Sequence, residues 1–181
     1  MGTDISLVSN LQERLSGRIG KEQAVIVAYE AMADARLLET LFYFIYNNDE
    51  RLRWRAAWSL EMVSKRMPLL LVDERRRMRA LAMRPDITDG LRRLLFSILF
   101  NLPDEDCDVE FLNFVLDKMV DLKSSPGVQA LAMKLAARMS RMHEELYEEF
   151  CSIVQNMELE LYSAGVRSAV KQCLKAKRKN R

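Results

Sequence analysis

A repeat of about 38 residues is the feature that most narrows what this chain can fold into, because such a period means that one supersecondary unit is stacked on copies of itself. Four segments align without gaps: Arg51-Leu52-Arg53-Trp54-Arg55-Ala56-Ala57, Gly90-Leu91-Arg92-Arg93-Leu94-Leu95-Phe96, Gly127-Val128-Gln129-Ala130-Leu131-Ala132-Met133 and Gly165-Val166-Arg167-Ser168-Ala169-Val170-Lys171. Their starts lie 39, 37 and 38 residues apart. The second column is aliphatic throughout (Leu52, Leu91, Val128, Val166), and the third holds a long polar residue (Arg53, Arg92, Gln129, Arg167). Eight positions past the aliphatic site stand Leu60, Leu99, Ala136 and Leu174, so each segment continues with the apolar spacing of a helix.

Between these segments lie their partners. Residues 34–46 carry Leu37, Leu38, Leu41, Phe42 and Ile45 at three-and-four spacing, and Asn47-Asn48-Asp49 follows with turn chemistry. Residues 68–83, 108–122 and 144–157 repeat the role, with Pro68 near a helix start and Lys123-Ser124-Ser125-Pro126-Gly127 as a turn. Six glycines and four prolines are few for 181 residues, so helix builders outweigh helix breakers and the chain is expected to be all-α. The expected organisation is one domain over 1–181: a helical cap over 1–33, four helical hairpins over 34–177 and a basic tail at 178–181.

The run Leu37-Leu38-Glu39-Thr40-Leu41 through Asn48-Asp49-Glu50-Arg51-Leu52-Arg53-Trp54-Arg55-Ala56-Ala57 resembles a HEAT repeat, in which an apolar first helix leads through an Asp-containing turn to Val-Arg and two small residues. Gly127-Val128-Gln129 and Gly165-Val166-Arg167 are similar, while Gly90-Leu91-Arg92 departs, with Leu95 and Phe96 where small residues are usual. The resemblance implies a right-handed α-α superhelix of the HEAT/armadillo kind, with the second helices lining its concave face. Such arrays serve transport, scaffolding, nucleic-acid binding and occasional catalysis, so fold alone does not choose among these.

Charge is divided between the two helices of each pair. The second helices and tail hold 17 Lys or Arg against 5 Asp or Glu, and the rest of the chain 11 against 21, although the whole carries only +2. Taken with the implied geometry, this makes the groove basic, the footprint of an acidic partner or a polyanion. Arg53, Trp54, Arg92, Lys134, Arg138, Arg167 and Lys171 are its candidate contacts. A protein partner with an acidic or amphipathic segment is the first reading, and nucleic acid the alternative. In its helical hairpins the chain also resembles the HEAT-like DNA glycosylases that remove alkylated bases, whose groove aromatics have a counterpart here in Trp54 and Trp58 alone.

No catalytic, cofactor-binding or metal-binding set emerges. A single histidine, His143, would have to carry any Ser-His-Asp or Cys-His chemistry, and neither phosphate-cradling glycine motif is present. Asp104-Glu105-Asp106-Cys107-Asp108 lacks the spacing of a calcium loop and suits helix capping, and its acidity argues against a reactive Cys107 thiolate. The run Arg75-Arg76-Arg77-Met78-Arg79 is expected on a solvated face, and the eleven methionines are expected in the core. Three cysteines without a C-x-x-C pair and no long apolar run fit a cytoplasmic protein outside the membrane. The opening Met1-Gly2-Thr3-Asp4-Ile5-Ser6 matches the loose myristoylation pattern.

Overall fold

The structure, a computed structural model, describes residues 5–17, 21–47, 49–104 and 107–178. Gly2 of the myristoylation pattern and residues 179–181 of the basic tail lie outside the described residues. Among the described residues there is no strand, and ten α-helices run in order. They fall into two compact units, Met1–Pro103 and Asp104–Arg181.

The first unit contains α1 (Ile5–Ser16), α2 (Lys21–Ala33), α3 (Ala35–Asn47), α4 (Glu50–Arg66), α5 (Arg75–Met83) and α6 (Asp89–Asn101). Here α3 pairs with α4 and α5 with α6, and α4 packs along both α2 and α6. The second unit contains α7 (Val109–Val120), α8 (Pro126–Ser140), α9 (Glu144–Gln155) and α10 (Ala164–Arg178). Helix α7 pairs with α8, and α8 packs along α10. Within each unit the second helices of successive pairs thus lie side by side. Residues 1–33, expected as a cap, supply α2 for the same kind of contact with α4.

Each second helix starts where the period places it, and the residue before it explains why. Asp49, Thr88, Ser125 and Ser163 precede α4, α6, α8 and α10, all short polar residues suited to an N-cap. The side chains of Asp49, Thr88 and Ser163 accept from the backbone N–H three residues on, at Leu52 (3.0 Å), Leu91 (3.3 Å) and Val166 (3.3 Å). Those three donors belong to the aliphatic column, whose side chains are buried with Val128. Capping and core burial are therefore fixed in one register. Asp108 caps α7 by accepting from the Phe111 N–H at 3.0 Å, the role expected for the acidic stretch.

One expected helix is split. Pro68–Glu74 winds as a 3-10 helix before α5, which turns Leu71 into the core and leaves Leu69 and Leu70 outside. The arginine run that follows is not uniformly solvated. Arg75 is buried and donates to the Pro103 carbonyl at 2.8 Å, whereas Arg77 lies over the Tyr46 ring and pairs with Glu74 at 3.0 Å. Between α4 and α6 the core admits polar groups. Buried Glu61 accepts from Ser97 Oγ at 2.6 Å and meets Lys65 Nζ at 3.1 Å, while Asn101 donates to Ser64 Oγ at 2.9 Å. Met78, Met119 and Met133 are fully buried, and Met67 and Met142 are exposed.

Candidate functional site

The long polar residue in the third column of each repeat has a common task inside its hairpin. Arg53 Nη2 reaches the Tyr46 carbonyl at 3.4 Å, Arg92 Nε and Nη2 donate to the Ala82 and Arg84 carbonyls at 3.0 and 2.7 Å, and Gln129 Nε2 donates to the Asp121 carbonyl at 2.9 Å. Arg167 Nη1 donates to the Tyr162 carbonyl at 2.8 Å. Four of these five acceptors lie in the last turn of the preceding first helix or just past it, and the fifth, Tyr162, follows the short 3-10 turn Leu159–Leu161. The last carbonyls of a helix have no partner within it, and a cation there also opposes the negative end of the helix dipole. Gln129 makes the same bond without a charge, so the geometry of the donor is what the four positions share.

Arg92 is the most committed of the four. It is 6% exposed, and Nη1 adds an ion pair with Asp89 at 3.1 Å, which turns it inward between α5 and α6. Two further second-helix arginines serve α1 in the same manner: Arg51 donates to the Ser16 carbonyl at 3.3 Å, and Arg55 to the Leu15 carbonyl. Burial, followed by the nearby Arg51 charge, lowers the Arg55 guanidinium from its ordinary value. Arg141, just past α8, donates to the Cys173 carbonyl at 3.1 Å.

The remaining candidates are placed as follows. Trp54 and Trp58 are half-buried in contact with each other, their ring centroids 5.1 Å apart. Trp54 also rests against Gly90, where a Cβ would come within 3.3 Å of the indole nitrogen, so the missing side chain makes room for the ring between the first and second pairs. Arg53 faces Asp86, whose carboxyl is held below its ordinary value chiefly by the Arg84 hydrogen bond, with the Arg53 charge adding to it. Arg138 pairs with Asp104.

Lys134 and Lys171 differ from these: among the described residues neither has an ion pair. Lys171 is exposed on α10 one turn from Arg167, and Lys175, also exposed, continues the stripe by another turn. The buried residues of α10, Val166, Ala169, Val170 and Cys173, occupy the opposite side of the helix. Lys134 approaches the same helix from α8, close enough that its charge, after that of Arg141, opposes the rise that burial imposes on the Cys173 thiol. Lys175 was absent from the sequence-derived candidates, although its i, i+4 spacing from Lys171 was available as a signal.

The turn before α8 holds the most shifted carboxylate. Asp121 accepts from Lys118 Nζ at 3.0 Å, the Lys123 N–H at 2.9 Å and Ser124 Oγ at 2.9 Å, which bring it down to about 2. These bonds fix the turn that carries the carbonyl acceptor of Gln129. His143 is exposed at the N-cap of α9 and makes no side-chain capping bond. Among the described residues no group of three or more His, Cys, Asp or Glu could hold a metal ion, and no helix is long and apolar enough to cross a membrane.

A family model described as a HEAT repeat domain matches residues 11–177. No curated protein and no solved structure matches the chain.

Proposed function

The chain belongs to the HEAT repeat domain family, and from that premise we propose that it is a noncatalytic scaffold whose second helices bind an acidic or amphipathic segment of another protein. HEAT repeats generally serve as protein-interaction scaffolds. The observation that carries the finer reading is the division of the second-helix cations. Arg51, Arg53, Arg55, Arg92 and Arg167 donate to carbonyls of their own unit, while among the described residues Lys134, Lys171 and Lys175 make no such bond, and they stand on neighbouring helices of the second unit. Lys171 and Lys175 are exposed and Lys134 is half-buried, and a cation without an ion pair can take an acidic ligand without first breaking an internal one.

Nucleic acid is the competing ligand for the same lysines. Fluorescence anisotropy with a labelled Asp/Glu-rich peptide and with labelled duplex and single-stranded DNA, each across a salt series, separates the two. The peptide is expected to bind, and the DNA to bind no more tightly than at a nonspecific level. DNA affinity that exceeds the peptide's and falls steeply with salt, in proportion to several neutralised phosphates, would replace this reading with nucleic-acid binding.

A further inference from the structure

The second unit has another surface of opposite character. Its second helices α8 and α10 pack closely along one another, whereas its first helices α7 and α9 meet less closely along a seam, and clefts lie between them at both ends. One, of about 800 Å³, lies where both helices begin, and the other, of about 510 Å³, lies where they end. Both volumes fall in the range of sites that hold ligands.

The walls carry partly exposed apolar side chains among polar ones, with His143, Glu144, Glu145 and Glu148 on the larger cleft. Helix α7 contributes Val109 and Val120, and α9 contributes Leu146 and Ile153, two turns apart. Val109 is 56% exposed, and Met142, which lines the same cleft, is 43% exposed. The surroundings are acidic. Residues 107–122 and 144–160 contain ten Asp or Glu and a single base, Lys118, which is already engaged by Asp121. Glu144, Glu145 and Glu148 line the larger cleft, all three exposed. A row of carboxylates beside apolar sockets repels acidic chains and complements lysine and arginine.

We propose that the α7–α9 seam binds a basic, amphipathic helical segment of a partner protein, with apolar side chains in the two clefts and Lys or Arg against Glu144, Glu145 and Glu148. Each wall helix has twelve residues and is therefore ~18 Å long, so anchors about three turns apart on the incoming helix would reach both clefts. This surface is independent of Lys134 and Lys171, and its ligand carries the opposite charge from theirs. The outward stripe of α10 is basic but has no apolar residues to fill the clefts, which argues against a second copy of this chain as the occupant.

The test uses the full chain and two synthetic helical peptides with leucines three turns apart, one bearing lysines on its polar face and the other glutamates at the same positions. Binding is followed by anisotropy, and occupancy of the larger cleft by the rate at which a thiol reagent modifies Cys107, which lines it; Cys151 and Cys173 are buried. The lysine peptide is expected to bind and slow Cys107 modification, and the glutamate peptide to do neither. The double variant Glu145→Lys/Glu148→Lys is expected to lower the lysine peptide's affinity about tenfold with an unchanged melting curve. Equal binding of both peptides, binding without protection of Cys107, or insensitivity to the charge reversal would overturn the proposal. So would light scattering showing a self-associated chain whose Cys107 is already protected without peptide, since a second copy would then be the occupant.

Discussion

Replacing Arg92 with alanine tests whether the third-column residue is a structural clasp. Its guanidinium makes bonds of 3.0 and 2.7 Å to the Ala82 and Arg84 carbonyls and an ion pair of 3.1 Å to Asp89, all from a side chain 8% exposed. Hydrogen bonds to a charged group contribute about 1.5–3 kcal/mol each, and removing one partner of a buried pair costs about 3–5 kcal/mol. Asp89 is one-third exposed and Arg84 sits at the surface, so water can reach part of what the truncation leaves unpaired. The expected loss is about 3 kcal/mol, or a fall of roughly 10 °C in melting temperature. Lysine at the same position keeps the charge but cannot bridge both carbonyls, and should lose about half as much. Both tryptophans, Trp54 and Trp58, lie in the first unit, so their fluorescence in a urea titration follows that unit without interference from the second. A loss under about 0.5 kcal/mol for Arg92→Ala would refute the clasp and return Arg92 to the candidate ligand contacts.

Other consequences can be checked on the same material. Asp108→Ala removes the cap on Phe111 and should cost about 1 kcal/mol, read by circular dichroism during denaturation. Asp121 is held below its ordinary value, so its contribution is complete above about pH 4 and disappears as pH falls toward 2. With a discount for its exposure, Asp121→Asn should cost about 1 kcal/mol at pH 7 and no more than a few tenths, ~0.2 kcal/mol, at pH 2, and a constant difference across that range would count against the assignment. Glu61→Ala leaves Ser97 without its acceptor between α4 and α6, and about 2 kcal/mol should be lost in the fluorescence-monitored titration.

The second helices were legible because the aliphatic column recurs at each of them and turn chemistry precedes α4 and α8, while the short polar residue three positions before the column showed its capping role only in the structure. Helix α3 was legible from apolar spacing, and α2 only as part of an expected helical cap. The 3-10 winding at Pro68–Glu74 was not, because Leu69, Leu70, Leu71 and Val72 fit either winding and only packing decides which leucine turns inward. Arg75 shows the same limit, since a run of arginines reads as solvated until a carbonyl such as that of Pro103 is found within reach of one of them. The candidate site was half visible. Its charge bias stood in the sequence, but a basic residue that clasps a carbonyl and one that waits for a ligand are spelled alike. Gln129 among three arginines was the only trace that the column's task is hydrogen bonding.

Pairing Lys134→Glu with Lys171→Glu and titrating the labelled acidic peptide tests the scaffold reading most directly. Both lysines lack an ion pair among the described residues, so the melting curve should stay within about 1 °C of the parent while affinity falls at least about tenfold. Unchanged affinity with intact melting would contradict the assignment of these lysines to the binding surface.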